Sequence, residues 1–110
     1  MDKIKISYTL DFINYLDELV YILYKEDYFS YIENAIEYTS KIYEYIDFNI
    51  ENFPQKKSPE SLSKFGDFYI FYKSNSRTTW YIFFSKKETN YLIKHITNNY
   101  SFDSNLLNEN

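Results

Sequence analysis

Apolar positions along this chain change their period twice. Lys3 to Tyr8 alternates, with Ile4 and Ile6 set against Lys3, Lys5 and Ser7. That is period two, the pattern of a strand with one apolar and one solvated face. From Thr9 the period lengthens, and Ile13, Leu16, Leu19, Val20 and Leu23 fall on one helical stripe. Asp11, Asp17, Glu18 and Lys25 lie largely off it. Thr9 is placed to cap this helix, and Asp11 sits in its first turn near the positive helix end. After a break at Lys25–Ser30, Ser30 and Glu33 have the spacing of a capping box. Ile32, Ala35, Ile36, Thr39, Ile42, Tyr43 and Ile46 then carry a second stripe to about Asp47. Two amphipathic helices joined by so short a turn are expected to lie antiparallel.

Asn49 to Lys64 holds both prolines, Pro54 and Pro59, with Lys56-Lys57 and several serines, and reads as a surface connector. Gly66, the only glycine, stands before the next apolar run and is expected to supply a bend. Three strands follow, at Phe68–Lys73, Thr78–Phe84 and Tyr91–Thr97, separated by Ser74–Arg77 and Ser85–Asn90. The expected fold is α+β in the order β-α-α-β-β-β. A helical hairpin packs on a mainly antiparallel, four-stranded sheet within one domain spanning residues 1–100. The tail, 101–110, is polar apart from Leu106-Leu107, and either stays disordered or adds a short helical turn over the sheet. The edge of Lys3–Tyr8 or of Phe68–Lys73 offers a route to a homodimer.

Composition removes several classes of chemistry. There is no cysteine, so no disulfide, thiol nucleophile or thiolate metal site is available, and a lone histidine, His95, argues against an imidazole-built zinc site. With one glycine, a phosphate-cradling loop is excluded, and no cofactor is expected. Met1 to Ser7 lacks the apolar core of a signal peptide, and no run approaches the ~18 apolar residues of a membrane span. A cytoplasmic, soluble protein without membrane partners is the expectation. The 14 Tyr and 10 Phe accompany abundant Ile, Asn and Lys, the set encoded by AT-rich codons. Their number is therefore read as codon bias and strand propensity rather than as a base-stacking surface.

Charge divides the chain. Residues 1–52 carry 11 acidic and 4 basic side chains, a balance of −7; residues 53–110 carry 5 acidic and 8 basic, a balance of +3. An acidic helical half and a basic sheet half can present one face to a polyanion or an acidic partner. Paired carboxylates, Asp17-Glu18 and Glu33 with Glu37, fall on solvated helix faces and are not read as an acid–base pair. The stronger set lies on the sheet: Lys73, Arg77, Lys94 and His95, with Tyr72, Tyr81, Tyr91 and Tyr100. A metal-free ribonuclease needs cations for the scissile phosphate, a group to activate the 2′-hydroxyl and one to protonate the leaving oxygen. Lysine, arginine, histidine and tyrosine supply those functions. Because successive strand residues face opposite ways, Lys94 and His95 are not expected to enter one site.

The order of elements resembles the RelE/ParE superfamily of small toxins from bacterial toxin–antitoxin pairs. The likeness spans about residues 3–99, with local echoes in Phe68–Tyr72 and in Tyr91–Asn98. It implies a toxin-like protein neutralised by a cognate antitoxin. Ribonuclease members use basic residues and a tyrosine on the sheet to cut mRNA in the ribosome, which maps here onto Lys73, Arg77, Lys94, His95 and Tyr100. Gyrase-directed members lack such a site and have long hairpin helices. This chain departs from the ribonuclease pattern: Asn98-Asn99-Tyr100 stands where a His and Arg pair is common, Tyr69 or Phe71 where an arginine is, and Arg77 is its only arginine. The resemblance therefore implies a non-nuclease, gyrase-directed or attenuated member. The alternatives are an mRNA endonuclease and a non-toxic interaction module of the same architecture.

Overall fold

A computed structural model describes residues 3–26, 30–52, 55–101 and 105–107. Strand β1 (Lys5–Tyr8) leads into α1 (Leu10–Lys25) and α2 (Ile32–Asn49). A two-residue strand, β2 (Lys56–Lys57), and a 3₁₀ helix (Glu60–Phe65) precede β3 (Phe68–Lys73), β4 (Thr79–Lys87) and β5 (Asn90–Asn98). The sheet has five strands in the order β1-β5-β4-β3-β2. β1 runs parallel to β5, and the other pairs are antiparallel. The sheet is thus mixed and one strand wider than the pattern predicts, because Lys56-Lys57 pairs with Tyr69 and Phe68.

Thr9 caps α1 as expected: its side-chain oxygen accepts from the Phe12 amide at 3.3 Å. The buried stripe of that helix is Phe12, Leu16 and Leu19, so Phe12 rather than Ile13 anchors it. In α2 the buried positions are Ala35, Thr39, Ile42 and Ile46, while Ile36 is exposed. The Ser30 capping box does not form. Tyr31 is the N-cap, without a side-chain bond, and the helix opens one residue later than the box requires. The expected break at Lys25–Ser30 includes residues 27–29, and the connector includes Pro54; both lie outside the described residues. The Tyr43 ring meets Phe12 edge-on at 5.9 Å, and Tyr15 and Tyr38 both meet Trp80. The start of α1 therefore lies beside the end of α2, as an antiparallel hairpin requires.

The centre of the sheet is buried on both sides. On the helix side, Ile70, Trp80, Ile82, Phe84, Tyr91, Ile93 and Ile96 join the buried stripes of the hairpin. On the other side Tyr69, Tyr81 and Phe83 form a second cluster with Leu62 of the 3₁₀ helix, and Phe65, Phe71 and Leu107 pack on it. Thr79 to Phe84 is consequently buried without interruption, as a central strand covered on both faces must be. The connector is therefore more than a surface loop, since its Leu62 closes the second face.

Two turns depart from expectation. β4 and β5 extend through Ser85-Lys86-Lys87 and Asn90 to a tight turn at Glu88-Thr89, where Glu88 takes φ 57°. Polar residues there continue the strand because that end of the sheet is solvated. At Phe83/Phe84 the β4–β5 register shifts, with Phe83 opposite His95 and Phe84 opposite Ile93. Lys94 is the extra residue of a β-bulge, so strict alternation fails between Ile93, on the helix side, and His95, on the other.

The outer edge of β3 is held by α2. The Tyr45 hydroxyl donates to the Phe71 carbonyl, and its ring lies 4.7 Å from that of Tyr72. Burial first, and Tyr72 second, push the Tyr45 phenol up to about 12 from 10.0. The fold favours the neutral phenol, so this contribution is complete below the unfolded value and is lost as pH rises from about 10 to about 12. Urea midpoints should fall across that window, and Tyr45→Phe should make the fall shallower.

Candidate functional site

Two of the five candidate residues meet at the open end of the sheet. Ser74 to Thr78 forms the β3–β4 turn, in which Asn75 Oδ1 accepts from the amides of Arg77 at 2.8 Å and Thr78 at 2.9 Å. Asn99 clamps this turn to β5. Its Oδ1 accepts from the Thr79 amide at 2.9 Å and its Nδ2 donates to the Arg77 carbonyl at 3.0 Å. The Tyr100 hydroxyl donates to the same carbonyl at 3.0 Å. Asparagine at positions 98 and 99 is therefore structural, since Asn98 Oδ1 also accepts from the Tyr100 amide at 2.9 Å.

Arg77 and Tyr100 border a groove of about 430 Å³ against the second half of α1, with Ile22, Leu23, Trp80 and Tyr38 along it. Among the described residues the Arg77 guanidinium has no ion-pair partner, and both Arg77 and Tyr100 are exposed. The floor is ordered by a relay: Trp80 Nε1 donates to the Tyr38 hydroxyl at 2.9 Å, which shares a 2.9 Å bond with Ser74 Oγ. Tyr38→Phe would strand a buried indole N–H and is expected to cost about 2 kcal/mol. With a single tryptophan in the chain, a shifted emission maximum alongside a lower urea midpoint would report it.

The other three candidates lie elsewhere. Tyr72 belongs to the helix-side cluster, so alternation sends Lys73 to the opposite face, in the row of Thr79. His95 is on that face too, four residues further along β4, roughly 13 Å from the Lys73 row. Its imidazole is half-buried, stacked on Phe65 at 3.9 Å and 10°, and 5.7 Å from Phe83. Lys94 and His95 both border a depression of about 310 Å³ beside Asp11 and Glu18 of α1. The His95 ring itself turns to Phe65 on the other face, so the two side chains are not shown to share one site. Asp11 and Glu18 make that depression mixed in charge. Of the tyrosines named with the set, Tyr81 and Tyr91 are buried in opposite clusters.

Trp80, Tyr38 and Asn99 escaped the sequence reading. The Ser74–Arg77 break between strands was legible, but the relay joins α2 to β4 across 42 residues. Among the described residues, no group of three His, Asp or Glu stands close enough to hold a metal ion, and no helix is long and apolar enough to cross a membrane. No family model matches this chain, and no curated protein or solved structure matches it either.

Proposed function

We propose that this chain is a toxin-like component of a type II toxin–antitoxin pair, acting in the cytoplasm by binding a target, gyrase in the first instance, rather than by cutting RNA. The element order supports the first half of this reading: one strand, a helical hairpin, then a three-strand meander. The dispersal of the candidate residues carries the second half. Phosphodiester cleavage requires cation, base and acid around one phosphate. Here Arg77 and Tyr100 border the helix-side groove, Lys73 faces the other way, and the His95 ring lies under Phe65.

A small antitoxin would silence the protein by adding an extended acidic segment along β1, the outer strand that carries Lys5. Charge distribution favours such a partner. Asp11, Asp17, Glu18, Glu33, Glu37, Glu44 and Asp47 are exposed on the helices, whereas Lys5, Lys57, Lys73, Lys86 and Lys87 are exposed on the strands. The same edge is where two copies would pair.

The mRNA-endonuclease reading has one observation in its favour: Arg77, whose guanidinium has no ion-pair partner among the described residues, and Tyr100 border one groove. Purified full-length chain should inhibit supercoiling of relaxed plasmid by bacterial gyrase and leave ribosome-bound mRNA whole. Unaltered supercoiling with cut mRNA would establish the endonuclease instead. Neither effect would leave an interaction module and overturn the proposal.

A further inference from the structure

The face of the sheet away from the helices carries a second basic site, at the end opposite Arg77. Lys5, Asn90 and Lys87 are direct cross-strand neighbours on β1, β5 and β4. Ser7, Leu92 and Ser85 form the next row. Ile4, Ile6 and Tyr8 pack on the helix-side cluster, as do Tyr91 and Ile93, so alternation puts both rows on the far face. Strand spacing sets the two lysine Cα atoms roughly 10 Å apart, with the Asn90 carboxamide between them. That span lets both flexible ammonium groups converge above Asn90.

These residues surround a depression of about 350 Å³. Its floor includes the exposed side chain of Leu92, and Lys86, on the helix side, is engaged over the Tyr91 ring at 5.2 Å. Lys5 and Lys87 are exposed and, among the described residues, have no ion-pair partner. Glu88, in the adjoining turn, pairs with neither.

We propose that this row binds a phosphate ester, with the phosphate over Asn90 between Lys5 and Lys87 and the organic part on Leu92. Two ammonium point charges suit a compact tetrahedral anion, whereas planar carboxylates are matched better by the arginine fork. Asn90 adds amide donors, and the Ser7 and Ser85 hydroxyls lie one row along for ester or sugar oxygens. The depression is of ligand-binding size, and its apolar floor fits an organic body better than a free ion. The site stands independently of the toxin reading.

The test is an amide NMR titration of the full chain at low salt with inorganic phosphate, uridine monophosphate and a short oligouridylate. Uridine monophosphate should move the amides of Lys5, Ser7, Lys87 and Asn90 and bind more tightly than inorganic phosphate. Lys5→Gln with Lys87→Gln should weaken it about tenfold or more, with other resonances in place. Lys56→Gln with Lys57→Gln should leave binding unchanged. An oligouridylate that binds more tightly, with steep salt dependence, would identify the source as a nucleic-acid strand; equal affinity would identify a mononucleotide. No movement of these amides at millimolar probe, or movement that survives the double substitution, would overturn the site.

Discussion

Replacing Gly66 with alanine is expected to cost about 3 kcal/mol, combining backbone strain with overpacking. Gly66 has φ 155° and is buried where the 3₁₀ helix turns into β3. A Cβ there would stand 2.6 Å from the Phe84 amide nitrogen and 2.9 Å from its carbonyl oxygen. Neither atom can withdraw, because both belong to the backbone of the central strand. The chain passes flat against β4 at this point, and that approach lets Leu62 and Phe65 fold back over the second face. Urea unfolding of Gly66→Ala should show the loss directly. Wild-type stability in that variant would mean that the 3₁₀ segment is not held against β4.

Phe83→Ala is expected to be at least as damaging, at about 4 kcal/mol. Phe83 is fully buried at the centre of the second cluster, with Phe65 at 5.9 Å, Tyr69 at 5.7 Å and His95 at 5.7 Å from its ring. Truncation would leave a void that β3, β4 and β5 cannot close, since their register is set by the opposite, helix-packed face. Phe71→Ala, at a half-buried position on the same face, should cost clearly less. Equal, small losses at both positions in urea titrations would contradict a closed second core.

These two residues also mark what could be read in advance. The bend at Gly66 was legible because the chain has no other glycine, and the strand around Phe83 because of its apolar run. β1 and both helices were legible because each has a solvated face that leaves a period in the sequence. What escaped lies where burial comes from distant partners. The second cover of the sheet was hidden at the end of a connector whose serines, lysines and prolines outweigh the apolar Leu62, with Phe65 just beyond it. The end of β4 was hidden because Ser85-Lys86-Lys87 has turn-like composition on a strand that is simply solvated there. The expected capping box failed at Ser30 because the helix begins one residue late, which local spacing does not encode.

The candidate site was legible as residue types and illegible as geometry. Arg77 and Tyr100 were both singled out, and they do border one groove. Their separation from Lys73 and His95 depends on sheet face and register, and the face that His95 takes depends on one extra residue in β5. The cross-strand row of Lys5, Asn90 and Lys87 shows the same limit. Its residues are 82 and 85 positions apart along the chain, counted from Lys5 to Lys87 and Asn90, and become neighbours only through the parallel β1–β5 pairing.

The central claim, action by binding without RNA cleavage, is tested most directly in one induced bacterial culture, with growth and mRNA integrity followed together. Wild type and the Lys73→Ala/Arg77→Ala variant should be compared at matched expression. The account predicts growth arrest with intact mRNA and an induced DNA-damage response in both. Arrest accompanied by ribosome-dependent mRNA cleavage, abolished in the variant, would contradict it, and no arrest at all would sink the toxin reading.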